Sequence, residues 1–85
     1  MTLSVCIITF NEEANIRRTL ESVKSIADEI IVVDSQSTDS TVALAQSFGA
    51  KVFIEAWKGF APQKNSALAK ASCDWVLSLD ADEEV

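Results

Sequence analysis

The chain has 85 residues, 48% of them hydrophobic, with 13 acidic against 7 basic side chains for a net charge of -6. That length gives room for one compact domain and not two, and the apolar content separates it from disordered chains. The acidic balance excludes a general nucleic-acid binder, which needs a basic face to displace counterions, and the absence of histidine removes Ser-His-Asp and Cys-His machinery with most catalytic zinc sites.

Leu3-Ser4-Val5-Cys6-Ile7-Ile8-Thr9 is rich in β-branched residues and reads as a buried strand. It lacks the basic flank and cleavage signature of a signal peptide, and no apolar run in the chain is long enough to span a bilayer. Cys6 reads as a small core residue. With Cys73 distant and no secretory signature, a reducing cytoplasm without a disulfide is expected. Asn11 is placed to cap the next helix, where Glu12 and Glu13 suit the positive end. Ile16, Leu20 and Val23 recur on one helical face.

Glu29-Ile30-Ile31-Val32-Val33 forms the second strand and runs into the polar loop Asp34 to Asp39. Thr41, Leu44, Ala45 and Phe48 mark a second amphipathic helix, closed by Gly49. Lys51 to Glu55 is the third strand. After the loop Trp57-Lys58-Gly59-Phe60, Pro62 suits a first helical position, and Ala67, Leu68 and Ala71 carry the third helix. Asp74 to Leu79 is the fourth strand, with Trp75 assigned to the core, and Asp80, Asp82, Glu83 and Glu84 follow it.

The pattern β-α-β-α-β-α-β predicts a three-layer α/β/α fold around a mostly parallel sheet covered on both faces. With right-handed crossovers and strand order 3-2-1-4, the switch point lies between strands one and four. Three polar segments at strand carboxyl ends then converge: Thr9 to Asn11, Asp34 to Asp39, and Asp80 to Asp82.

The ligand is not announced by a glycine loop. The chain has only Gly49 and Gly59, which excludes a dinucleotide turn and a P-loop after the first strand. Asp34 either accepts a hydrogen bond from a ribose hydroxyl or base N–H, or tightens its own loop. Asp80 and Asp82 are two residues apart and repel. They either hold a divalent cation, with magnesium or manganese suited to hard oxygen ligands and substrate phosphates, or form a solvated acidic turn. Lys64, in the first turn of the third helix, opposes the helix dipole unless an anion is shared there. Together these residues suggest a diphosphate. Trp57 and Phe60 are either a wall of the crevice or a lid over the sheet edge. Ser35 and Ser37 have no base beside them and are not read as nucleophiles.

Thr9-Phe10-Asn11-Glu12-Glu13, then Val33-Asp34-Ser35-Gln36-Ser37-Thr38-Asp39-Ser40-Thr41, then Leu79-Asp80-Ala81-Asp82-Glu83 resemble the successive motifs of family 2 glycosyltransferases, in the family's order. Trp57 to Asn65 with Asp74 to Leu79 is similar to a bacterial subgroup that includes lipopolysaccharide core glucosyltransferases. The resemblance implies a GT-A fold and inverting transfer from a nucleotide-activated sugar, with a UDP-sugar favoured, to a glycan or lipid-linked acceptor. It implies that Thr9, Asn11, Glu12 and Ser35 line the donor site and that Asp34 contacts uracil or ribose. Lys64 would then lie near the diphosphate, and Asp80 and Asp82 would bind Mg2+ or Mn2+, with Asp82 nearest the metal. Many members carry a second aspartate where this chain has Ser35, and a glycine where it has Gln36.

Family members continue beyond the Asp-x-Asp element into an acceptor-binding half that carries the general base. These residues are therefore expected to be the donor-binding half of a larger enzyme, with the base beyond Val85, cytoplasmic and peripheral at the inner membrane in full length. A nucleotidyltransferase fits less well, because Phe10 to Asn15 lacks a glycine- and basic-rich loop. A phospho-receiver fits poorly, because Thr9 ends the first strand where an acidic pair is needed. A non-catalytic nucleotide-binding or partner-binding α/β module is the alternative. The apolar fourth strand is expected to form an open edge that self-associates through Trp75 to Leu79.

Overall fold

In the computed structural model, residues 2–81 are described. The apolar runs become β1 (Leu3–Thr9), β2 (Glu29–Asp34), β3 (Lys51–Ile54) and β4 (Trp75–Asp80), and the segments between them become α1 (Glu13–Val23), α2 (Thr41–Ser47) and α3 (Phe60–Ala69). All pairings are parallel and the order is β3-β2-β1-β4, as the alternation of elements predicts.

Side chains alternate across β1, so the strand feeds two cores. Val5 and Ile7 face α1 and α2, where Ile16, Leu20, Val23 and Ala45 complete one cluster. Cys6 and Ile8 face α3 and meet Ile31, Val33 and Ala67. Both cysteines are free, and Cys6 is buried, which pushes its thiol pKa up and makes it an inert core residue. The helical face Ile16, Leu20, Val23 is fully buried, as its spacing predicts. α2 ends in a Schellman arrangement, with Ala50 N–H donating to Ala45 O at 3.2 Å and Gly49 N–H to Gln46 O at 3.0 Å. Gly49 takes φ +80° there, which favours glycine.

Four local expectations are corrected. Asn11 does not cap α1: Glu12 is the N-cap residue, and Asn11 turns to the β2–α2 loop at φ +50°. α3 begins at Phe60, so Pro62 is its third residue and Lys64 lies beyond its first turn. The proline is still tolerated, because N–H groups in the first turn have no intrahelical acceptor. Leu68 is 40% exposed, and α3 stops before Ala71. Trp75 is 59% exposed rather than core, because among the described residues β4 pairs with β1 alone and stands at the edge of the sheet.

Glu29 locks the amino ends of the strands. Its carboxylate accepts hydrogen bonds from Ser4 Oγ at 2.7 Å, Lys51 Nζ at 2.8 Å, and Ser72 N and Oγ at 3.0 and 2.9 Å. The Lys51 bond foremost, then those from Ser4 and Ser72, lowers the Glu29 pKa to about 2. The opposite, carboxyl ends of β1, β2 and β4 are left to build a site.

Candidate functional site

Register brings the strand ends together. Thr9 stands beside Asp34 across β1 and β2, and Ile8 stands beside Asp80 across β1 and β4. A cavity of about 730 Å³ opens above them, within the size range of small-molecule sites. Its wall includes Thr9, Glu12, Ser35 and Asp80 from the expected set, and also Phe10, Gln36, Trp57 and Phe60. Trp57 and Phe60 meet edge to face, centroids 5.0 Å apart and planes at 88°. Both are more than half exposed, so they are a wall of the crevice rather than a lid on the sheet. Glu55 anchors their loop to α3 by accepting from Lys58 Nζ at 2.8 Å and Ser66 Oγ at 2.7 Å, with Lys70 Nζ at 2.9 Å. Lys58, then Lys70 and Ser66, lowers its pKa to about 2.

Asp34 lies behind this wall, fully buried. Its carboxylate accepts from Thr9 Oγ1 at 2.6 Å, from Ser37 N at 2.7 Å, and from the Ser37 hydroxyl. The loop-tightening role weighed for it is therefore realised. A base or ribose contact would require one of these bonds to be exchanged. Asn11 is outside the wall as well. Its backbone N–H donates to Ser37 Oγ at 2.8 Å, and its Oδ1 accepts from Thr38 N at 2.8 Å. The two loops are thus one hydrogen-bonded unit.

The same unit caps α1. Glu12 N donates to Thr41 Oγ1 at 2.8 Å and Glu13 N to Asp39 Oδ2 at 3.2 Å. These are orphan donors of a helix start, met here by side chains of a different loop. The Thr41 hydroxyl, foremost, holds the Asp39 pKa below its ordinary value.

Ser35 is buried but reaches the cavity, and Gln63 Nε2 donates to its Oγ at 3.0 Å. Gln63 is wholly buried, and its Oε1 has no hydrogen-bond partner among the described residues. Sequence reasoning passes over Gln63, because a glutamine near a helix start reads as surface. Its place one turn before the buried Ala67 is the signal that could have found it.

On the other side of β1, Lys64 Nζ lies 3.3 Å from Asp80 Oδ1. Asp82 falls outside the described residues, as do Glu83, Glu84 and Val85. Among the described residues no group of three or more Cys, Asp or Glu gathers as metal ligands. Asp80 alone still suits a hard divalent cation, which is commonly held by one or two carboxylates with substrate phosphates. It is a half-exposed oxygen donor on the cavity wall, and it already attracts a cation in Lys64.

Comparison with known proteins gives a consistent result. Residues 4–85 match the family described as Glycosyl transferase family 2. An uncharacterized glycosyltransferase of Rickettsia bellii is 54% identical over 83 residues, covering 98% of this chain and 28% of that protein. The lipopolysaccharide core biosynthesis glycosyltransferase LpsC of Rhizobium meliloti is 42% identical over 90 residues, covering 100% of this chain and 33% of its own length. The chain therefore spans about a third or less of these relatives. Among solved structures, glucosyl-3-phosphoglycerate synthase of Mycobacterium tuberculosis with Mn2+, UDP and glucosyl-3-phosphoglycerate superposes with a TM-score of 0.82 at 31% identity, over 98% of this chain and 35% of that one. TarS of S. aureus in complex with UDP gives 0.78 at 27% identity, over 99% of this chain and 28% of that one.

Proposed function

Because this chain belongs to glycosyltransferase family 2, we propose that it forms the donor-binding part of an inverting enzyme that transfers a sugar from a nucleotide diphosphate, UDP favoured. The observation that carries this reading is the polarity of the cavity. Hydroxyl and amide groups stand over the ends of β1 and β2 (Thr9, Ser35, Gln36), and Asp80, paired with Lys64 behind it, stands at the β4 end. With β1 between β2 and β4, Ser35 and Asp80 are separated by about two strand spacings, about 10 Å. That suits a nucleoside at one end and its diphosphate at the other.

Each residue then has a task. Thr9, Asn11 and Glu12 shape the nucleoside end, and Asp34 holds Thr9 and Ser37 in place behind it. Ser35 presents its hydroxyl to the base. Lys64 moves from Asp80 to the diphosphate and balances the charge that grows on the leaving group. Asp80, with Asp82, would hold Mg2+ or Mn2+, which supplies Lewis-acid help to the departing diphosphate. Support for a metal comes from the mycobacterial synthase, whose structure holds Mn2+ with UDP.

Asp34 is enclosed by hydrogen bonds and Asp80 is paired with a lysine, so neither is assigned as the base that deprotonates an acceptor. The acceptor class we favour is a glycan or lipid-linked sugar in bacterial surface polysaccharide or lipopolysaccharide core synthesis, supported by the likeness to LpsC. The setting we favour is cytoplasmic, at the inner membrane face. No helix among the described residues is long and apolar enough to cross a membrane.

An amide-shift titration with UDP, GDP and ADP, with and without Mn2+, tests the reading. Metal-dependent shifts at Lys64 and Asp80, with metal-independent shifts at Thr9 and Ser35, are expected. Absence of any nucleotide-induced shift would overturn it.

A further inference from the structure

Gln63 breaks a rule of core composition. Through Ala67, α3 packs on the cluster of Cys6, Ile8, Ile31 and Val33. Gln63 lies one turn earlier on that helix with none of its surface exposed. Its Nε2 donates to Ser35 Oγ at 3.0 Å, while its Oε1 meets no donor among the described residues. A buried amide oxygen left unmet is costly, and methionine would fill nearly the same space without that cost. Stability therefore does not account for a glutamine here. Such exceptions gather at functional sites.

Ser35 is where the exception points. Its backbone N–H donates to Thr9 O at 2.9 Å, which fixes the main chain at the end of β2. That bond leaves the hydroxyl free to rotate, with one hydrogen to donate and two lone pairs to accept. Gln63 Nε2 takes one lone pair, and no acceptor among the described residues takes the hydrogen. Ser35 is 6% exposed and lines the cavity. The hydrogen is thus turned from Gln63 and left for a ligand in the cavity.

Resting on the donor-site reading above, we propose that Gln63 is a positioning residue for the nucleoside, holding the Ser35 hydroxyl so that it donates to a carbonyl oxygen of the base. Gln63 stands behind Ser35 and acts only through it. Uracil, with carbonyl oxygens on its ring edge, supplies the acceptor.

The test is a double-mutant cycle of Gln63→Met and Ser35→Ala. Uridine and UDP affinities are read by calorimetric titration without metal, and stability by urea denaturation. Each single variant is expected to weaken both ligands by the same factor, about 2–10-fold, since one neutral hydrogen bond is lost and no phosphate contact. The double variant should lose no more than Ser35→Ala alone, because groups that act as one unit do not add. The urea midpoint of Gln63→Met should equal or exceed that of the wild type. In 2-thiouridine and 4-thiouridine, sulfur replaces one carbonyl oxygen and accepts hydrogen bonds more weakly. One of the two should bind wild type less well than uridine does, and the difference should vanish in both single variants.

A folded Gln63→Met with wild-type uridine affinity overturns the proposal. So do losses that add in the double variant, which would mark a merely structural glutamine. Thiouridines that both bind wild type as uridine does overturn the donation from Ser35. Should Gln63→Met fail to fold, Gln63→Leu takes its place in the cycle, and failure of both to fold overturns the positioning role. Wild-type chain that binds GDP or ADP but no uridine compound overturns this role and leaves the donor-site reading standing. Wild-type chain that binds no nucleotide overturns both.

Discussion

The Lys64 ammonium on α3 and the Asp80 carboxylate at the end of β4 neutralise each other across 3.3 Å. Their side chains are 39% and 47% exposed. A pair so open to solvent contributes at most about 1 kcal/mol to stability. Its interest lies in what it holds ready: a carboxylate on the cavity wall with a lysine 3.3 Å away, each of which a metal-diphosphate could take over.

Replacing Lys64 therefore separates binding from folding. Lys64→Met is expected to change the urea-unfolding free energy by less than about 1 kcal/mol. UDP affinity should fall about tenfold, the loss that goes with about 1.5 kcal/mol for one hydrogen bond to a charged group. Uridine, which has no phosphate, should bind both forms equally. The UDP effect should shrink as salt is raised, because the contact is partly screened. Calorimetric titrations of both ligands check this. A similar loss for uridine would show that Lys64 shapes the pocket rather than meeting phosphate.

Asp34 predicts the reverse balance. It is fully buried and accepts from Thr9 Oγ1, Ser37 N and Ser37 Oγ. Asp34→Ala leaves these donors without their acceptor, and a buried donor left unmet costs about 1–3 kcal/mol. Urea denaturation should show a lower midpoint with an unchanged slope, the mark of lost stability without a change in the surface exposed on unfolding. An unaltered midpoint would mean that the two loops hold together without Asp34.

Glu29 supplies the pH dependence. Its pKa falls from the ordinary 4.5 to about 2 in the folded chain, chiefly through Lys51. A carboxylate with a depressed folded pKa adds stability that is present above the unfolded value and lost as pH falls. The loss should therefore begin near pH 4.5 and be complete below about 2. Glu55, lowered to about 2 by Lys58, Lys70 and Ser66, acts in the same direction over the same range. Glu29→Gln should flatten the stability profile between these limits and leave it unchanged near neutrality, apart from a constant offset. An acid profile unaffected by Glu29→Gln would remove Glu29 from this role.

The strands and their order were legible because each is a β-branched run too short for a helix and too apolar for a loop. The helical face Ile16, Leu20, Val23 was legible by spacing. What escaped depends on neighbours the local pattern does not contain. Trp75 is apolar and reads as core, although the sequence also predicts β4 as an open edge, and at that edge it is 59% exposed. Gln63 is polar and its burial is set by Ser35, 28 positions away. Asn11 has a capping side chain, but Thr38 takes its oxygen while Thr41 and Asp39 meet the helix N–H groups instead. Gln36 adopts φ +62° on the cavity wall. Sequence shows a departure there from the family's glycine, and the structure shows that Gln36 takes the left-handed conformation, where a side chain is costly.

The edge of β4 carries the last prediction. Among the described residues β4 pairs with β1 alone, and Trp75 and Val76 are 59% and 43% exposed beside that edge. An apolar edge offers backbone donors and acceptors to any second strand, and natural proteins discourage this with lysine or proline. No such residue occurs between Trp75 and Leu79. The chain should therefore self-associate as concentration rises, visible as a growing sedimentation coefficient. Val76→Lys should oppose it by putting a charge where a second strand would pack, while leaving the buried face of β4, Leu79, untouched. A monomer at all concentrations would show that this edge does not pair. Association that persists unchanged in Val76→Lys would place the contact elsewhere, with the exposed Trp57 and Phe60 the next surface to alter.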